Sequence, residues 1–251
     1  MVEELLSLRV LVASASTDDR DRLRQAAAAA TVPIEVVEAE DAASACRSLG
    51  GGGIDLAFLD AALGSDEVAR IATAARTARQ APFTVLLAGA KAVAPFETDA
   101  LALRPADAEE AKRFVAGAIR LCVPSRVLVV DDSPTMRSIV RKTLAATRFP
   151  LQVTEVAQGA DAIELVRSAV FDIVFVDYNL PGFDGLQTIA EFRREERRVI
   201  FVLITSTQDH ALAVRARAQG AAFLKKPFFP ADIENVLCGF YGLRALAPKR
   251  G

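Results

Sequence analysis

Short apolar runs alternate with helical segments along the 251-residue chain. In the second half the runs are apolar on both faces, which is typical of strands buried in a parallel sheet. Such an alternation predicts a doubly wound α/β sheet with helices on both faces. The predicted strands are Val127–Val130, Val153–Val156, Ile173–Val176, Val199–Ile204 and Ala222–Leu224. The predicted helices are Pro134–Ala146, which Ser133 is expected to cap, Ala160–Ser168, Leu186–Arg194, Ala211–Gln219 and Pro230–Gly239.

The chain contains an internal repeat. RVLVASAS (starting at residue 9) parallels RVLVVDDS (126), DLAFLD (55) parallels DIVFVD (172), and TVLLA (84) parallels FVLIT (201), so each pair is 117 residues apart. One constant offset over three apolar strands indicates two copies of one fold. The copies join near Arg120–Arg126, because Pro124 ends a predicted helix before the next strand. We therefore predict two tandem domains, residues 1–121 and residues 122–251.

Side chains with chemical potential follow four predicted strands of the second copy. Asp131 and Asp132 follow the first strand and Asp177 the third, while Thr205 and Lys226 close the fourth and fifth. The carboxyl ends of parallel strands meet at one edge of a sheet, so these side chains are expected to lie together. Three carboxylates repel one another and favour a hard divalent cation such as Mg²⁺. Because an aspartate neutralised in this way is a nucleophile toward phosphorus, the pattern predicts a Mg²⁺-dependent phosphoryl site.

The second copy resembles the receiver domain of bacterial two-component response regulators over roughly residues 124–245. The resemblance lies in DD after the first strand, D followed by YNLPGFDGL after the third, TS after the fourth and KPF after the fifth. It implies that both copies are flavodoxin-like (βα)5 domains in tandem, and that Asp177 is the phosphoacceptor. It also implies that Asp132 and Asp177 bind Mg²⁺ directly, that Asp131 binds it through water, and that Asn179 binds it through its backbone carbonyl. Thr205 and Lys226 are implied to contact the phosphoryl group. Thr205 and Phe223 are implied to form a switch.

The first copy lacks most of this site. At the same offset Ser14 and Ala15 replace the acid pair and Ala88 replaces the threonine, while Asp60 still matches the phosphoacceptor. The last strand slips to an offset of 122, where ALALRP (100) parallels AFLKKP (222) and Arg104 replaces the lysine. Without the acid pair a metal ion would keep at best one carboxylate ligand, and arginine is not equivalent to lysine at a point-charge contact. We therefore interpret the first copy as a degenerate pseudo-receiver and predict that it is not phosphorylated.

Composition narrows the possible functions. The net charge of −2 gives no support for a nucleic-acid partner, and a single histidine argues against a zinc site or a Ser-His-Asp triad. No apolar run is long enough to span a bilayer, and the amino terminus lacks the layout of a secretion signal. We expect a cytoplasmic protein that does not enter a membrane.

The resemblance implies a response regulator, not an enzyme, that is phosphorylated by a sensor histidine kinase or a histidine phosphotransfer protein. We expect it to signal through contact with a downstream protein, without a DNA-binding or enzymatic output domain. The expected contact face is the fourth helix, fifth strand and fifth helix of the second copy, from about residue 208 to residue 243, which also offers a route to a homodimer. Two alternatives stay open: a Mg²⁺-dependent aspartyl phosphatase or phosphotransferase, and a constitutive scaffold. The enzyme class needs a second acid two residues beyond its nucleophile, where this chain has Asn179.

Overall fold

The chain forms two compact units in the computed structural model, which describes residues 7–89, 98–182, 184–194, 199–207 and 209–246. The first unit extends to Cys122 and also includes the chain from Leu237 onward, while the second unit spans Val123–Val236. The junction at Cys122 adjoins the expected boundary, but the last residues of the expected second domain, 122–251, group with the first unit. No helix within the described ranges is both long and apolar enough to cross a membrane.

The first unit alternates strands and helices. Its elements up to the junction are β1 (Leu8–Ala13), α1 (Thr17–Ala28), β2 (Ile34–Ala39), α2 (Ala42–Gly50), β3 (Leu56–Asp60), α3 (Ser65–Thr77), β4 (Phe83–Ala88), β5 (Ala100–Leu103) and α4 (Ala108–Ala118). A single turn of 3₁₀ helix, Ile119–Leu121, continues α4 towards the junction.

The second unit repeats this order, and each element begins and ends within two residues of its predicted bounds. Its elements are β6 (Ser125–Val130), α5 (Pro134–Ala145), β7 (Leu151–Val156), α6 (Gly159–Ser168), β8 (Ile173–Asp177), α7 (Gly185–Arg193), β9 (Ile200–Thr205), α8 (His210–Ala218), β10 (Ala222–Lys225) and α9 (Pro230–Phe240). The last helix, α9, crosses the boundary between the units at Val236.

Each unit is built around a parallel sheet with the same strand order. The order is β5-β4-β3-β1-β2 in the first unit and β10-β9-β8-β6-β7 in the second. The pairing register is repeated as well: Val10 lies opposite Leu56 in the first sheet, and Val127 lies opposite Ile173 in the second. The two flavodoxin-like α/β folds predicted from the repeat are therefore confirmed.

The centre of the second sheet explains the continuous apolar runs in the sequence. Every residue of β8 is buried, as expected for a parallel strand covered on both faces. The ring of Phe192 on α7 stacks on that of Phe201 on β9, with centroids 5.8 Å apart. At the end of β6, Ser133 caps α5 as predicted by accepting a hydrogen bond from the amide of Met136 at 3.3 Å. Only residues 131–133 therefore separate this strand from its helix.

A carboxy-terminal segment completes the first sheet. Strand β11 (Arg244–Ala245) pairs antiparallel with β5, and the amide of Leu246 donates to the carbonyl of Asp99 at 2.9 Å. A Cβ atom at Gly117 in α4 would collide with the carbonyl oxygen of Tyr241, which gives this helical position a reason to be glycine. The sequence did not predict this strand, because two residues are too few to show a hydrophobic period.

Candidate functional site

Three aspartates meet at the carboxyl edge of the second sheet. Asp131 follows β6 and Asp177 is the last residue of β8; both are buried, whereas Asp132 is exposed. Each residue offers a carboxylate oxygen, and these oxygens all lie within 4.8 Å of one another. The structure thus brings together the three acids that the strand pattern predicted.

The loop that carries the acid pair is fixed by its backbone. The amide of Asp131 donates to the carbonyl of Val156 on β7 at 3.3 Å, which continues the strand pairing by one step. Its carboxylate accepts a hydrogen bond from the amide of Ser133 at 2.9 Å. The Asp131 side chain is therefore held in one orientation by the same turn that starts α5.

The backbone around Asp177 is packed against the start of α7. The amide of Tyr178 donates to the carbonyl of Ile204 at 2.8 Å, and the amide of Gly185 donates to the carbonyl of Tyr178 at 2.9 Å. A Cβ atom on Gly185 would lie 2.5 Å from the carbonyl oxygen of Asp177, closer than carbon atoms approach oxygen in folded proteins. Glycine is needed here because the helix touches the backbone of Asp177.

Lys226 lies between the two buried acids. Its Nζ donates to Oδ2 of Asp131 at 2.9 Å and to Oδ1 of Asp177 at 2.8 Å. Its backbone amide donates to the carbonyl of Thr205 at 2.8 Å, and its peptide bond to Pro227 is cis. Burial by itself would lower the pKa of Lys226, but hydrogen bonds and charge interactions with Asp177 and Asp131 outweigh it and raise the pKa above the usual lysine value. The ammonium group therefore stays charged at neutral pH.

The remaining predicted residues lie on neighbouring segments. Thr205 ends β9, is fully buried, and accepts a hydrogen bond on Oγ1 from the amide of Thr207 at 3.1 Å. In the pairing of β8 with β9, Asp177 lies opposite Ile204, the residue before Thr205. Phe223 on β10 is partly buried and packs against the hydrophobic core, and Asn179 is exposed in the loop that follows β8.

The donor set suits Mg²⁺. Three carboxylates and one ammonium leave a net formal charge of −2 at this edge of the sheet, which a divalent cation would balance. All the candidate ligand atoms are hard oxygens, the type that Mg²⁺ prefers, and their mutual spacing within 4.8 Å is compatible with one shared ion. One acid is exposed, so a partly hydrated ion could enter from solvent.

This arrangement agrees with the comparison to known families, in which residues 127–237 match the response regulator receiver domain. These residues are a receiver domain. The transcriptional regulatory protein NarL of Mycobacterium tuberculosis is 37% identical over 102 residues, covering 40% of this chain and 47% of that protein. The nitrate/nitrite response regulator protein NarL of Escherichia coli K12 is 30% identical over 117 residues, covering 45% and 53%. The chain spans about half the length of the curated relatives it matches.

A solved structure extends the likeness to both units. A two-component system response regulator/GGDEF domain protein aligns with a TM-score of 0.51 at 22% identity, over 93% of this chain and 96% of that one. At this identity the alignment shows a shared fold and no more. The first unit is therefore receiver-like in fold, and residues 127–237 of the second unit match the response regulator receiver domain.

In the first unit the carboxylate at the position of Asp177 is hydrogen-bonded to the protein's own side chains. Asp60 ends β3 and is buried. Its carboxylate accepts hydrogen bonds from the guanidinium of Arg104, from Oγ of Ser14 at 2.7 Å and from the amide of Ala62 at 2.9 Å. Because Arg104 supplies the compensating positive charge, this carboxylate is neutralised without a metal ion.

One arrangement common to both units was missed by the sequence analysis. In the receiver domain, Nη1 of Arg137 donates to the carbonyl of Asp131 at 2.7 Å, and Nε of Arg137 lies 3.6 Å from Oε2 of Glu155. In the first unit, Arg20 and Glu38 occupy the same repeat positions and form the same kind of ion pair, at 3.3 Å. The sequence does contain a signal for this pair, because the arginine and the glutamate both recur at the repeat offset of 117. A comparison limited to the apolar strands does not reveal it.

Proposed function

We propose that the receiver domain accepts a phosphoryl group on Asp177 from the phosphohistidine of a sensor histidine kinase or a histidine phosphotransfer protein. The observation that carries this proposal is the placement of Asp177, a buried carboxylate 2.8 Å from the ammonium of Lys226 and within 4.8 Å of two further acids. A carboxylate oxygen of Asp177 would attack phosphorus, the P–N bond of the phosphohistidine would break, and the imidazole would leave with the bonding electrons. The product is an acyl phosphate on the receiver domain.

The neighbouring residues have separate roles in this proposal. Asp132, Asp177 and the backbone carbonyl of Asn179 would hold Mg²⁺, with Asp131 acting through water, and the bound ion would neutralise charge on the phosphoryl oxygens. Lys226 exchanges a hydrogen bond to a carboxylate for one to a phosphoryl oxygen, while the hydroxyl of Thr205 donates to another. The raised pKa of Lys226 supports this role, because the side chain is charged at neutral pH before a phosphoryl group arrives.

We further propose that output occurs through protein contact at the face formed by α8, β10 and α9. Phe223 lies opposite Leu203 in the pairing of β10 with β9, two positions before the pair Lys225–Thr205, so Thr205 and Phe223 are near neighbours on adjacent strands. Movement of Thr205 towards a phosphoryl group would draw the partly buried Phe223 inward and change this face. Either an unidentified downstream protein or a second copy of the chain would read the change. Residue 208, where the expected face begins, lies outside the described residues.

Two features support a non-enzymatic phosphoacceptor in the second unit and a silent first unit. Asn179 is an amide at the position where aspartyl phosphotransferases need a general acid. Asp60 of the first unit is buried and already bonded to Arg104 and Ser14, so a phosphoryl donor would have to displace both. We propose that the first unit is a pseudo-receiver that is not phosphorylated. A cytoplasmic location, expected from the sequence, is part of the same proposal.

The test is phosphorylation of the intact chain by acetyl phosphate in the presence of Mg²⁺, followed by peptide mapping. We expect one phosphoryl group per chain on the peptide that contains Asp177, and none after Asp177→Asn. The matched control is Asp60→Asn, which should be labelled like the wild type. Label on Asp60 would contradict the assignment of the pseudo-receiver.

Two further measurements separate the proposal from its alternatives. Repeated turnover of a phosphate monoester, instead of stoichiometric self-labelling, would favour an aspartyl phosphatase. Partner capture with and without beryllofluoride tests the output. A constitutive scaffold would be favoured if the partner binds with equal affinity in three conditions: to the wild type with beryllofluoride, to the wild type without it, and to Asp177→Asn.

A further inference from the structure

The loop of the acid pair is held by an arginine that touches only its backbone. Arg137 lies in the first turns of α5, and its Nη1 donates to the carbonyl of Asp131 at 2.7 Å and, more weakly, to that of Asp132 at 3.3 Å. Both carbonyls belong to residues whose carboxylates are candidate metal ligands. The carboxylate oxygens themselves are not used by this arginine, so its hydrogen bonds do not compete with a metal ion.

The arginine is in turn held by an acid on the neighbouring strand. Oε2 of Glu155 on β7 lies 3.6 Å from Nε of Arg137, and Oε1 of the same carboxylate lies 3.0 Å from Nε of Arg141. The Arg137 side chain is only 19% exposed, so its position is restricted by packing as well as by charge. Glu155 thus connects the edge strand to the helix and orients the guanidinium towards the loop.

We infer that Arg137 and Glu155 are positioning residues for Mg²⁺ binding in the receiver domain. The orientation of the peptide groups after Asp131 and Asp132 determines where their side chains leave the backbone. By binding both carbonyl oxygens, Arg137 fixes these peptide groups before a cation arrives. The inference rests on the proposed function, because it concerns the geometry of the proposed metal ligands.

The first unit shows that this arrangement does not depend on the metal site. Nη1 of Arg20 donates to the carbonyl of Ser14 at 2.6 Å, and Nε of Arg20 pairs with Glu38 at 3.3 Å, while Arg24 pairs with the same carboxylate at 3.0 Å. Each of these residues is the repeat equivalent of its counterpart in the receiver domain, yet Ser14 stands where the first acid would be. The arginine contact therefore recurs without the acid pair, and in the receiver domain the loop path that it supports is what presents the acids.

Charge and position predict opposite effects for the decisive variant. Arg137→Gln removes a positive charge near the acid cluster, and by charge alone Mg²⁺ would bind more tightly. If Arg137 acts by positioning, the loop loses its fixed geometry and Mg²⁺ binds more weakly. Residues behind the metal ligands typically contribute about 10- to 100-fold to metal affinity, which sets the size expected here. Glu155→Gln should weaken binding in the same direction, by releasing Arg137.

The test is calorimetric titration of the intact chain with MgCl₂, with no phosphoryl donor present. We expect the dissociation constant to rise at least tenfold in Arg137→Gln and in Glu155→Gln. Arg20→Gln, the equivalent change in the first unit, is the matched control and should leave Mg²⁺ binding as in the wild type. Arg137→Lys keeps the charge but not the planar fork, so it should rescue binding only in part.

The outcomes are distinct. Unchanged or tighter Mg²⁺ binding in Arg137→Gln, with normal binding in the wild type, overturns this inference and leaves the proposed function standing. Absence of Mg²⁺ uptake by the wild type overturns both. Acetyl phosphate labelling gives a second measurement: Arg137→Gln should need more Mg²⁺ for half-maximal labelling of Asp177 and reach the wild-type extent at saturation. If Arg137→Gln fails to fold, Arg137→Lys decides the question: because it keeps the charge, weaker Mg²⁺ binding supports positioning and unchanged binding overturns the inference.

Discussion

Gly185 offers a direct test of how tightly the receiver site is built. Replacing it with alanine places a Cβ atom 2.5 Å from the carbonyl oxygen of Asp177, 2.7 Å from Cδ1 of Leu203 and 2.9 Å from Cα of Tyr178. Two of these three contacts are with the backbone, which cannot move aside as a side chain would. The start of α7 must therefore shift away from β8, and the hydrogen bond from the amide of Gly185 to Tyr178 lengthens or breaks.

The expected magnitude follows from two opposing effects. Inserting a methyl group into a closely packed site destabilises by about 1–3 kcal/mol. Exchanging glycine for alanine also restricts the unfolded chain, which stabilises by about 0.4–1 kcal/mol when the site has room. The packing effect is the larger, so we expect a net loss of about 1–2 kcal/mol in the free energy of unfolding. Because the displaced backbone carries Asp177, labelling by acetyl phosphate should also slow.

Urea denaturation of the intact chain measures the loss, and the receiver transition is identified as the one that Mg²⁺ shifts. Gly239→Ala in α9 controls for the exchange itself, because no neighbouring atom lies within 4 Å of a Cβ atom there, and it is read on the transition of the first unit, with which residue 239 groups. This variant should be as stable as the wild type or slightly more so. If Gly185→Ala is also as stable as the wild type, the close approach of α7 to Asp177 does not constrain the receiver domain and the reasoning is wrong.

Three further predictions concern the buried charges and the added strand. The ion pairs of Lys226 contribute stability that is fully present below the ordinary lysine pKa of about 10.4 and is lost as pH rises through the raised pKa of the folded state. The difference in unfolding free energy between the wild type and Lys226→Met should therefore shrink only in strong alkali. A decrease of this difference near neutral pH in urea titrations would contradict the prediction. Asp60→Asn removes the closer of the two acidic partners of the partly exposed Arg104, the other being Asp19. It should destabilise the first unit by about 1–2 kcal/mol in urea denaturation, after allowance for solvent screening, and an unchanged midpoint would argue against the internal neutralisation of Asp60. Gly117→Ala should displace the segment that follows α9 and accelerate hydrogen exchange of the Leu246 amide, and unchanged exchange would show that this segment tolerates a side chain at position 117.

Most of the fold could be predicted because the strands of a parallel sheet are apolar on both faces. Strand β8, for example, was predicted as Ile173–Val176 and is found as Ile173–Asp177, and the Ser133 cap of α5 was correctly placed. Because the apolar strands recur at the repeat offset, the same fold could also be predicted for the first unit. Strand β11 could not be predicted, because its position depends on pairing with β5 and not on any pattern in its own two residues.

The candidate site was predictable to the extent that strand ends fix positions. Asp131, Asp132, Asp177 and Lys226 come together because the strands before them are neighbours or share one edge of the sheet. The supporting contacts were not predictable in this way. The hydrogen bond from Arg137 to the carbonyl of Asp131 depends on a side-chain conformation, and a polar residue on a helix surface gives no sign of which backbone oxygen it will reach.

The origin of β11 has a consequence for the order in which the protein matures on the ribosome. The edge of the amino-terminal sheet is covered by residues 244–245, which are synthesised after the whole receiver domain. Strands β1 to β5 therefore leave the ribosome long before their last partner exists, and β5 remains an open edge during that interval. The amino-terminal unit is thus the first to emerge during translation but the last to be completed. The risk that β5 pairs with a wrong strand depends on how long its edge stays uncovered.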